Sequence, residues 1–274
     1  LAESSGDQST AVGEASTASG DLATALGRLA TADGDDSTAV GVSANANGLR
    51  ALAIGNSSTA SADDSVSIGA DSLASGLNSL ALGTSSTASG DDSVALGQNA
   101  TADSDRATAV GRSSVASNTD ATAVGEASEA SGEFSTAIGG TSVANGTQST
   151  ALGARSTASG TSSTAIGESS SATAQSATAL GAGSTAGFSN STAIGAGAAT
   201  TRTNQMMLGT STTTYTAPGI TSAASLAAQS GSTVFVTSDP NGNLATFDLA
   251  PTLNRLRSDI NDNTEGVAMA IALG

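Results

Sequence analysis

The sequence predicts an all-β fold, a parallel solenoid (a β-roll) of 14-residue coils, and three observations predict it. Glycine stands at 13, 27, 41, 55, 69, 83, 97, 111, 125, 139, 153, 167, 181, 195 and 209, every fourteenth residue without insertion or deletion. Each glycine closes a phrase such as Ser9-Thr10-Ala11-Val12-Gly13 or Ser135-Thr136-Ala137-Ile138-Gly139, where small and larger residues alternate with the period of a strand. Apolar residues make up 38% of the chain but aromatics only 2%, so one thick core is beyond its means. A fixed internal period is the mark of a repeat architecture, in which each unit needs only its neighbours for burial. The 274 residues divide into an array at 1–209, a connector at 210–248 and a C-terminal segment at 249–274.

A single coil shows how the pattern works. The stretch from Ala15 to Gly27 holds two short alternating runs, separated by turns rich in Gly, Asp, Ser and Asn. Gly, Ser, Thr and Asp at this density are poor helix formers. Two strands and two turns fill fourteen residues, and the next coil stacks about 4.8 Å further on. In the coils before the last, the positions four, two and zero before the landmark glycine are Ser or Ala, Ala, and Gly, with Ser67 the exception in the middle column. In the second strand, five residues after the glycine, Ala recurs from Ala18 and Ala32 to Ala186. Only such small residues fit between walls this close, so these positions are expected inside.

The larger apolar residues must then point outward. Directly before the glycines stand Val12, Leu26, Val40, Ile54, Ile68, Leu82, Leu96, Val110, Val124, Ile138, Leu152, Ile166, Leu180, Ile194 and Leu208. Two residues earlier the column is mostly Thr, with Leu52, Val66, Leu80, Val94 and Met206 interspersed. Stacking turns these positions into an apolar stripe along one wall. Soluble monomers rarely expose contiguous apolar patches beyond about 300–600 Å². Each Val, Leu or Ile buried contributes about 1.5–3 kcal/mol, so fifteen left wet is a large loss. The second strand's outward residues (Thr17, Thr31, Asn45, Thr59, Glu129) are mostly polar. One wall needs partners and the other does not, which predicts an obligate oligomer about a common axis with the fifteen apolar residues at its interface.

The formal net charge is −16, and all eight basic residues are Arg. Residues 1–133 carry −14 of it, with 18 acidic residues against Arg28, Arg50, Arg106 and Arg112. Phosphate recognition needs basic clusters, so nucleic acid is not an expected partner. There is no cysteine, hence no disulfide, thiolate metal site or cysteine nucleophile. No run of 18 apolar residues predicts a membrane-spanning helix, and no charged leader precedes the repeats.

After Gly209 the phase is lost. Pro218-Gly219 signals a turn, and Ala223 to Gln229 suits a short helical turn. Two runs, 233–237 and 243–247, flank Ser-Asp-Pro-Asn-Gly and predict a β-hairpin. From Leu249 the apolar positions Leu249, Leu253, Leu256, Ile260, Val267 and Ala270 follow heptad spacing, and Asn263 fills the remaining core place. A polar residue there fixes register in a coiled coil.

Repeats of the form Ser-Thr-Ala-Ile-Gly-x-x-Ser-x-Ala, a Thr-rich connector, a heptad helix and the closing run 265–273 together resemble the YadA-like trimeric autotransporter adhesins. That resemblance implies a left-handed parallel β-roll head over 9–209, a neck, a short coiled-coil stalk and, at 266–274, the start of a membrane anchor. It implies a homotrimer displayed on the outer membrane of a Gram-negative bacterium through a C-terminal β-barrel absent from this sequence. It further implies binding to extracellular matrix proteins, cells or surfaces, and an anion held on the three-fold axis by Asn263.

Catalysis has little to stand on. Some trimeric left-handed β-helices are acyltransferases, but they use a hexapeptide repeat and a histidine base, and this chain has no histidine. Asp35-Asp36, Asp63-Asp64 and Asp91-Asp92 recur every 28 residues, in alternate coils. Oxygen-rich turns suit calcium. However, the Gly-Gly-x-Gly-x-Asp nonapeptide is absent, and pairs in alternate coils lie about 9.6 Å apart. These six aspartates are expected to be solvated turn residues, and they are the candidate ligand surface. No enzyme activity, metal or cofactor is expected. An ice-binding face is disfavoured by the irregular outward ladder, in which Leu73, Val115 and Glu129 interrupt the Thr. A passive spacer that projects another domain stays open as an alternative to an adhesive head.

Overall fold

The structure, a computed structural model, describes residues 1–216, 223–228, 235–240, 242–247, 251, 255 and 257–261. The chain forms two units, Leu1–Thr213 and Thr214–Gly274.

In the first unit the chain winds into a two-walled parallel solenoid. One wall is a 15-stranded sheet of three-residue strands, from Thr10–Val12 to Met206–Leu208; the other has 14 strands, from Glu3–Ser4 to Thr185–Ala186. Every pairing is parallel at a step of fourteen: Thr10 lies beside Thr24, Ala11 beside Ala25 and Val12 beside Leu26. The first wall is called here the apolar sheet and the second the polar sheet, after their outward residues. The 14-residue coil predicted from glycine spacing is thus the structural unit.

Between the walls lies a column of alanine and serine. Among the described residues every buried apolar residue is Ala, and the largest fully buried side chains are serines. The expected inward positions hold throughout the strands: Ala25, Ala39, Ala95 and Ala137 in one wall, and Ala18, Ala32 and Ala88 in the other, are fully buried. The landmark glycines differ from expectation. They do not fill the interior but open the turn, and their small size serves the stacking of coils. At Gly27 (φ +142°) an added Cβ would lie 2.2 Å from the carbonyl oxygen of Gly41 in the next coil. At Gly34, in the opposite turn, it would lie 1.9 Å from that of Gly48. The landmark turn therefore stacks backbone on backbone with no room for a side chain, whereas the opposite turn is glycine in most coils but holds Ala62, Ser104 and Asn118 in others.

A shorter period lies inside the 14. From Gln8 to Asn204 every seventh residue is left-handed, 27 of them non-glycine with φ between 51° and 59°. Gly183 and Gly197 supply the other two. Each coil is thus two half-coils, Ser/Ala-Thr-Ala-x-Gly-x-x in outline, whose fourth place alternates between Val, Leu or Ile and mainly Ser, Asp or Asn. Left-handed backbone costs an L-residue roughly 1–2 kcal/mol. The ladder holds it in place: Leu22 N–H donates to Asp7 O at 2.8 Å, Leu29 to Glu14 O at 2.8 Å, and Phe134 to Thr119 O at 3.0 Å. Hydrogen bonds between coils therefore continue through the corners as well as the strands.

The interior serines fall into two classes. Those three residues after a landmark glycine donate to its carbonyl, as Ser156 does to Gly153 O and Ser142 to Gly139 O, both at 2.8 Å. Those four residues before it mostly do not: the hydroxyls of Ser37, Ser79, Ser93, Ser135, Ser149 and Ser163 are buried without a partner. Alanine occupies the same column at Ala23, Ala51 and Ala107. At the last coil Met207 stands in the column otherwise held by alanine or Ser67, partly buried against the alanine core. Among the described residues no further strand pairs beyond Met206–Leu208, so a long side chain has space to cover the final rung.

The second unit holds a helix at Ala223–Ala228 and an antiparallel hairpin of Phe235–Ser238 with Leu244–Phe247, as the sequence predicts. Asp239 closes the hairpin turn, accepting the Asn243 backbone N–H at 2.9 Å and its side-chain Nδ2 at 2.8 Å. Pro251, Arg255 and residues 257–261 are helical, and Ile260 is exposed. Leu249, Leu253, Leu256, Asn263, Val267, Ala270 and the tail 266–274 lie outside the described residues, as do the coiled-coil and anion expectations that rest on them. Among the described residues no helix is long and apolar enough to cross a membrane.

Two substitutions test the interior. Ser156→Ala removes a made hydrogen bond and should lower stability by about 1 kcal/mol, whereas Ser149→Ala relieves an unpartnered buried hydroxyl and should be neutral or stabilising. Denaturant midpoints measure both. Equal losses would show that Ser149 reaches the Gly146 carbonyl, as Ser65 reaches Ala62 O at 2.6 Å. Enlarging Ala137 to Leu should cost at least ~1–3 kcal/mol, because the column has no space to relax into.

Candidate interaction surfaces

The apolar sheet presents two outward columns along the roll. All fifteen predicted interface residues lie on it, directly before the landmark glycines, and none is buried: Val12 is 54% exposed, Leu26 46% and Leu82 44%, while Val40, Ile68 and Leu96 are half-buried. Half-buried Thr fills most of the second column, at Thr24, Thr38 and Thr108 for example. No charged residue occupies either column in any coil, although the chain carries a formal net charge of −16. Charge depletion over a continuous apolar surface is the compositional mark of an interface core. The polar sheet instead carries Thr17, Thr31, Asn45 and Thr59, with Glu129 exposed among them.

Acidic residues concentrate where the polar strands turn back. Asp7, Asp21, Asp35, Asp63, Asp91 and Asp105 share one column of that corner, and Asp36, Asp64, Asp92 and Asp120 share the left-handed column beside it. The structure gives most of them internal work. Asp21 Oδ1 accepts the backbone N–H of Asp7 at 2.8 Å, and Asp35 that of Asp21 at 3.0 Å. Asp63 and Asp91 each accept from the backbone one coil earlier, at Leu49 and Leu77, both at 2.9 Å. Next to them Arg50 grips Asp64, Asn78 Nδ2 donates to Asp92 at 3.1 Å, and Arg106 holds Asp120 through two bonds of 2.7 Å. Arg112–Glu126 and Arg155–Glu168 clamp coils along the opposite corner.

Of the six candidate ligand aspartates, Asp35, Asp63, Asp64, Asp91 and Asp92 thus tie adjacent coils together. In the left-handed column the 28-residue recurrence matches donors in the intervening coils, Arg50 for Asp64 and Asn78 for Asp92, a partnership that spacing alone leaves invisible. Asp36 stands exposed at its corner. Among the described residues no cluster of three or more His, Cys, Asp or Glu could hold a metal. Three bulky apolar residues not singled out by the repeat pattern stand at left-handed corners: Leu22, Leu29 and Phe134 are 52%, 46% and 51% exposed. Their seven-residue step carries little residue signature, because side chains as different as Ala15, Arg50 and Phe134 occupy it.

The side-chain hydrogen bond from Arg50, reinforced by its charge, holds the Asp64 carboxyl below the ordinary carboxylate range; Arg106 acts on Asp120 in the same way. A pKa lower in the folded than in the unfolded chain adds stability above the unfolded value, and that stability disappears as pH falls through the folded one. Arg50→Gln should therefore melt below the wild type at pH 7, by the small margin of an exposed pair. The two melting curves should converge as pH drops below the ordinary carboxylate range. A gap that persists there would show that the arginine acts through packing.

The family model for the YadA head domain repeat, two coils in length, matches this chain in overlapping segments from 4–30 through 172–198, covering well over half of it. No curated protein matches. Among solved structures, the chain is similar to the collagen-binding domain of the Yersinia adhesin YadA, at 21% identity over 80% of this chain and 87% of that one, with a TM-score of 0.26. The matched segments are about two coils long and start in phase with the chain's 14-residue coil, and the chain belongs to the YadA head domain repeat family.

Proposed function

We propose that this chain is the head of a bacterial cell-surface adhesin, a homotrimer that binds matrix proteins, cells or surfaces and performs no catalysis. The observation that carries the reading is the charge-free apolar face running the length of the roll. Membership of the YadA head domain repeat family supports it. Chains of net charge −16 repel one another, and a contact on the uncharged apolar sheet adds the fewest close like-charge encounters to that repulsion. Packing it inward leaves the polar sheet and both corners free to meet a ligand. Display on an outer membrane belongs to the same proposal.

Light scattering on the isolated chain should give about three times 25.8 kDa. A monodisperse monomer would refute the assembly. Adhesion is tested on coated matrix proteins, collagen among them, with the array intact and with an unrelated stalk of equal length in its place. Binding that survives the exchange would make the array a spacer. The acidic corner has its own test. Asp35→Asn, Asp36→Asn, Asp63→Asn and Asp91→Asn together remove four charges yet keep a side-chain oxygen for each backbone N–H. Binding of a basic partner should weaken and lose its salt dependence, because screening acts within ~8 Å at physiological salt. Unchanged binding would move the ligand site to the uncharged polar sheet.

A further inference from the structure

An array of near-identical coils has a weakness when it assembles with copies of itself. Each coil offers the next copy almost the same face, so a copy displaced along the axis by one coil, about 4.8 Å, meets an equivalent surface. The column of Val, Leu and Ile before the landmark glycines resists such slippage poorly, being apolar in every coil. The second outward column is different. It is Thr in every coil from the first to the fourteenth, except in the four consecutive coils at Leu52, Val66, Leu80 and Val94; Met206 then follows in the last coil. All four are half-buried and point out of the apolar sheet beside Ile54, Ile68, Leu82 and Leu96. Thr38 and Thr108 bound the block on its two sides.

We infer that the block Leu52–Val66–Leu80–Val94 is the register key of homotypic assembly, the segment that makes parallel copies meet coil for coil. The inference rests on the homotypic assembly proposed above and names the part of that face which aligns it. In register, four apolar rungs meet four apolar rungs. A slip of one coil sets Leu52 of one copy against a threonine of the other, and Val94 against a threonine at the far end, and a slip of two doubles the mismatch. Burying a hydroxyl against an apolar side chain without a partner is unfavourable. The occupant is a second copy of this chain because only an object with the same 14-residue step can stay in phase with fifteen apolar rungs. With no charge on the face, the composition of this column is what can set the alignment within the roll.

The test moves the key. The chain has no cysteine, so an introduced one is its sole thiol. Copies carrying Leu152→Cys are co-expressed with copies carrying Ile166→Cys, one coil apart and well below the block, and then oxidised. Disulfides need Cα atoms roughly 4.4–6.8 Å apart, a window narrow enough to distinguish adjacent coils. With both blocks in place, like positions should link, and the mixed 152–166 bridge should stay below about a tenth of the total found by mass spectrometry. The Ile166→Cys copies are then given Leu52→Thr and Thr108→Val, which shift their block by one coil using residues already common in that column. Aligned blocks now bring 152 beside 166, and the mixed bridge should rise at least fivefold. If it stays at its original level while the oligomer persists, the key is overturned and the assembly stands. If oligomers form but neither mixture links, the column does not face its partner and the inference fails. Monomers without any bridge would remove both the inference and the assembly.

Discussion

The close approach of successive coils governs this molecule. At Gly27 a single methyl group would come within 2.2 Å of the carbonyl oxygen of Gly41, so the corner tolerates no side chain. That contact demands glycine once per 14-residue coil. It also brings corner backbone groups into the ladder, as when Gly27 N–H donates to Val12 O at 2.8 Å. With the backbone ladder continuous around the coil, the interior needs only fillers, and alanine and serine suffice. Stability is then distributed over neighbour interfaces, as expected of a one-dimensional array, rather than concentrated in a core. The left-handed corners follow from the same geometry. Leucine, arginine and phenylalanine adopt that conformation at Leu22, Arg50 and Phe134 because a ladder hydrogen bond holds each in place.

A fold carried by its backbone frees its outward side chains. The two walls share one half-coil design, and a single alternating position distinguishes them: Val, Leu or Ile on one, and chiefly Ser, Asp or Asn on the other. From that alternation come an apolar face without charge and a polar face with corners that hold most of the acids. The corner acids are not simply a solubilising coat. Asp35 and Asp63 satisfy backbone donors of the preceding coil, and Asp64 and Asp120 are gripped by arginines one coil away. Acidity and coil stacking are therefore coupled, so a binding experiment that alters these charges has to preserve the acceptor oxygen.

Much of this was legible in the sequence, because steric demands leave traces at fixed spacing. The glycine step gave the coil, the alternation gave the inward alanines Ala25 and Ala95, and the column from Val12 to Leu208 gave the outward stripe. The hairpin after residue 233 was visible through its Asp-Pro-Asn-Gly turn. What escaped had a different physical origin. The seven-residue step of left-handed corners leaves little residue signature, since the hydrogen bond rather than the side chain enforces the conformation. The aspartate caps depend on contacts between residues fourteen apart in sequence but adjacent in space. The landmark glycines were expected inside the roll, and they sit in its corners because the constraint on them comes from the next coil and not from the opposite wall.

Regularity of this kind has a consequence for any protein that works as an assembled array. Uniform coils make the roll easy to extend, since each added coil brings its own ladder bonds and its own rung of the apolar face. The same uniformity removes the landmarks by which two copies align, because a displaced copy loses only the rungs at the ends. Alignment has to come from an interruption of the pattern that leaves the fold untouched. An outward position is the one place where this can happen, since an inward change such as a leucine for Ala95 would break the packing. In this chain the threonine column is interrupted at Leu52, Val66, Leu80 and Val94, on the charge-free wall, in four coils without a gap. Departures from a repeat therefore carry the information that the repeat itself cannot hold.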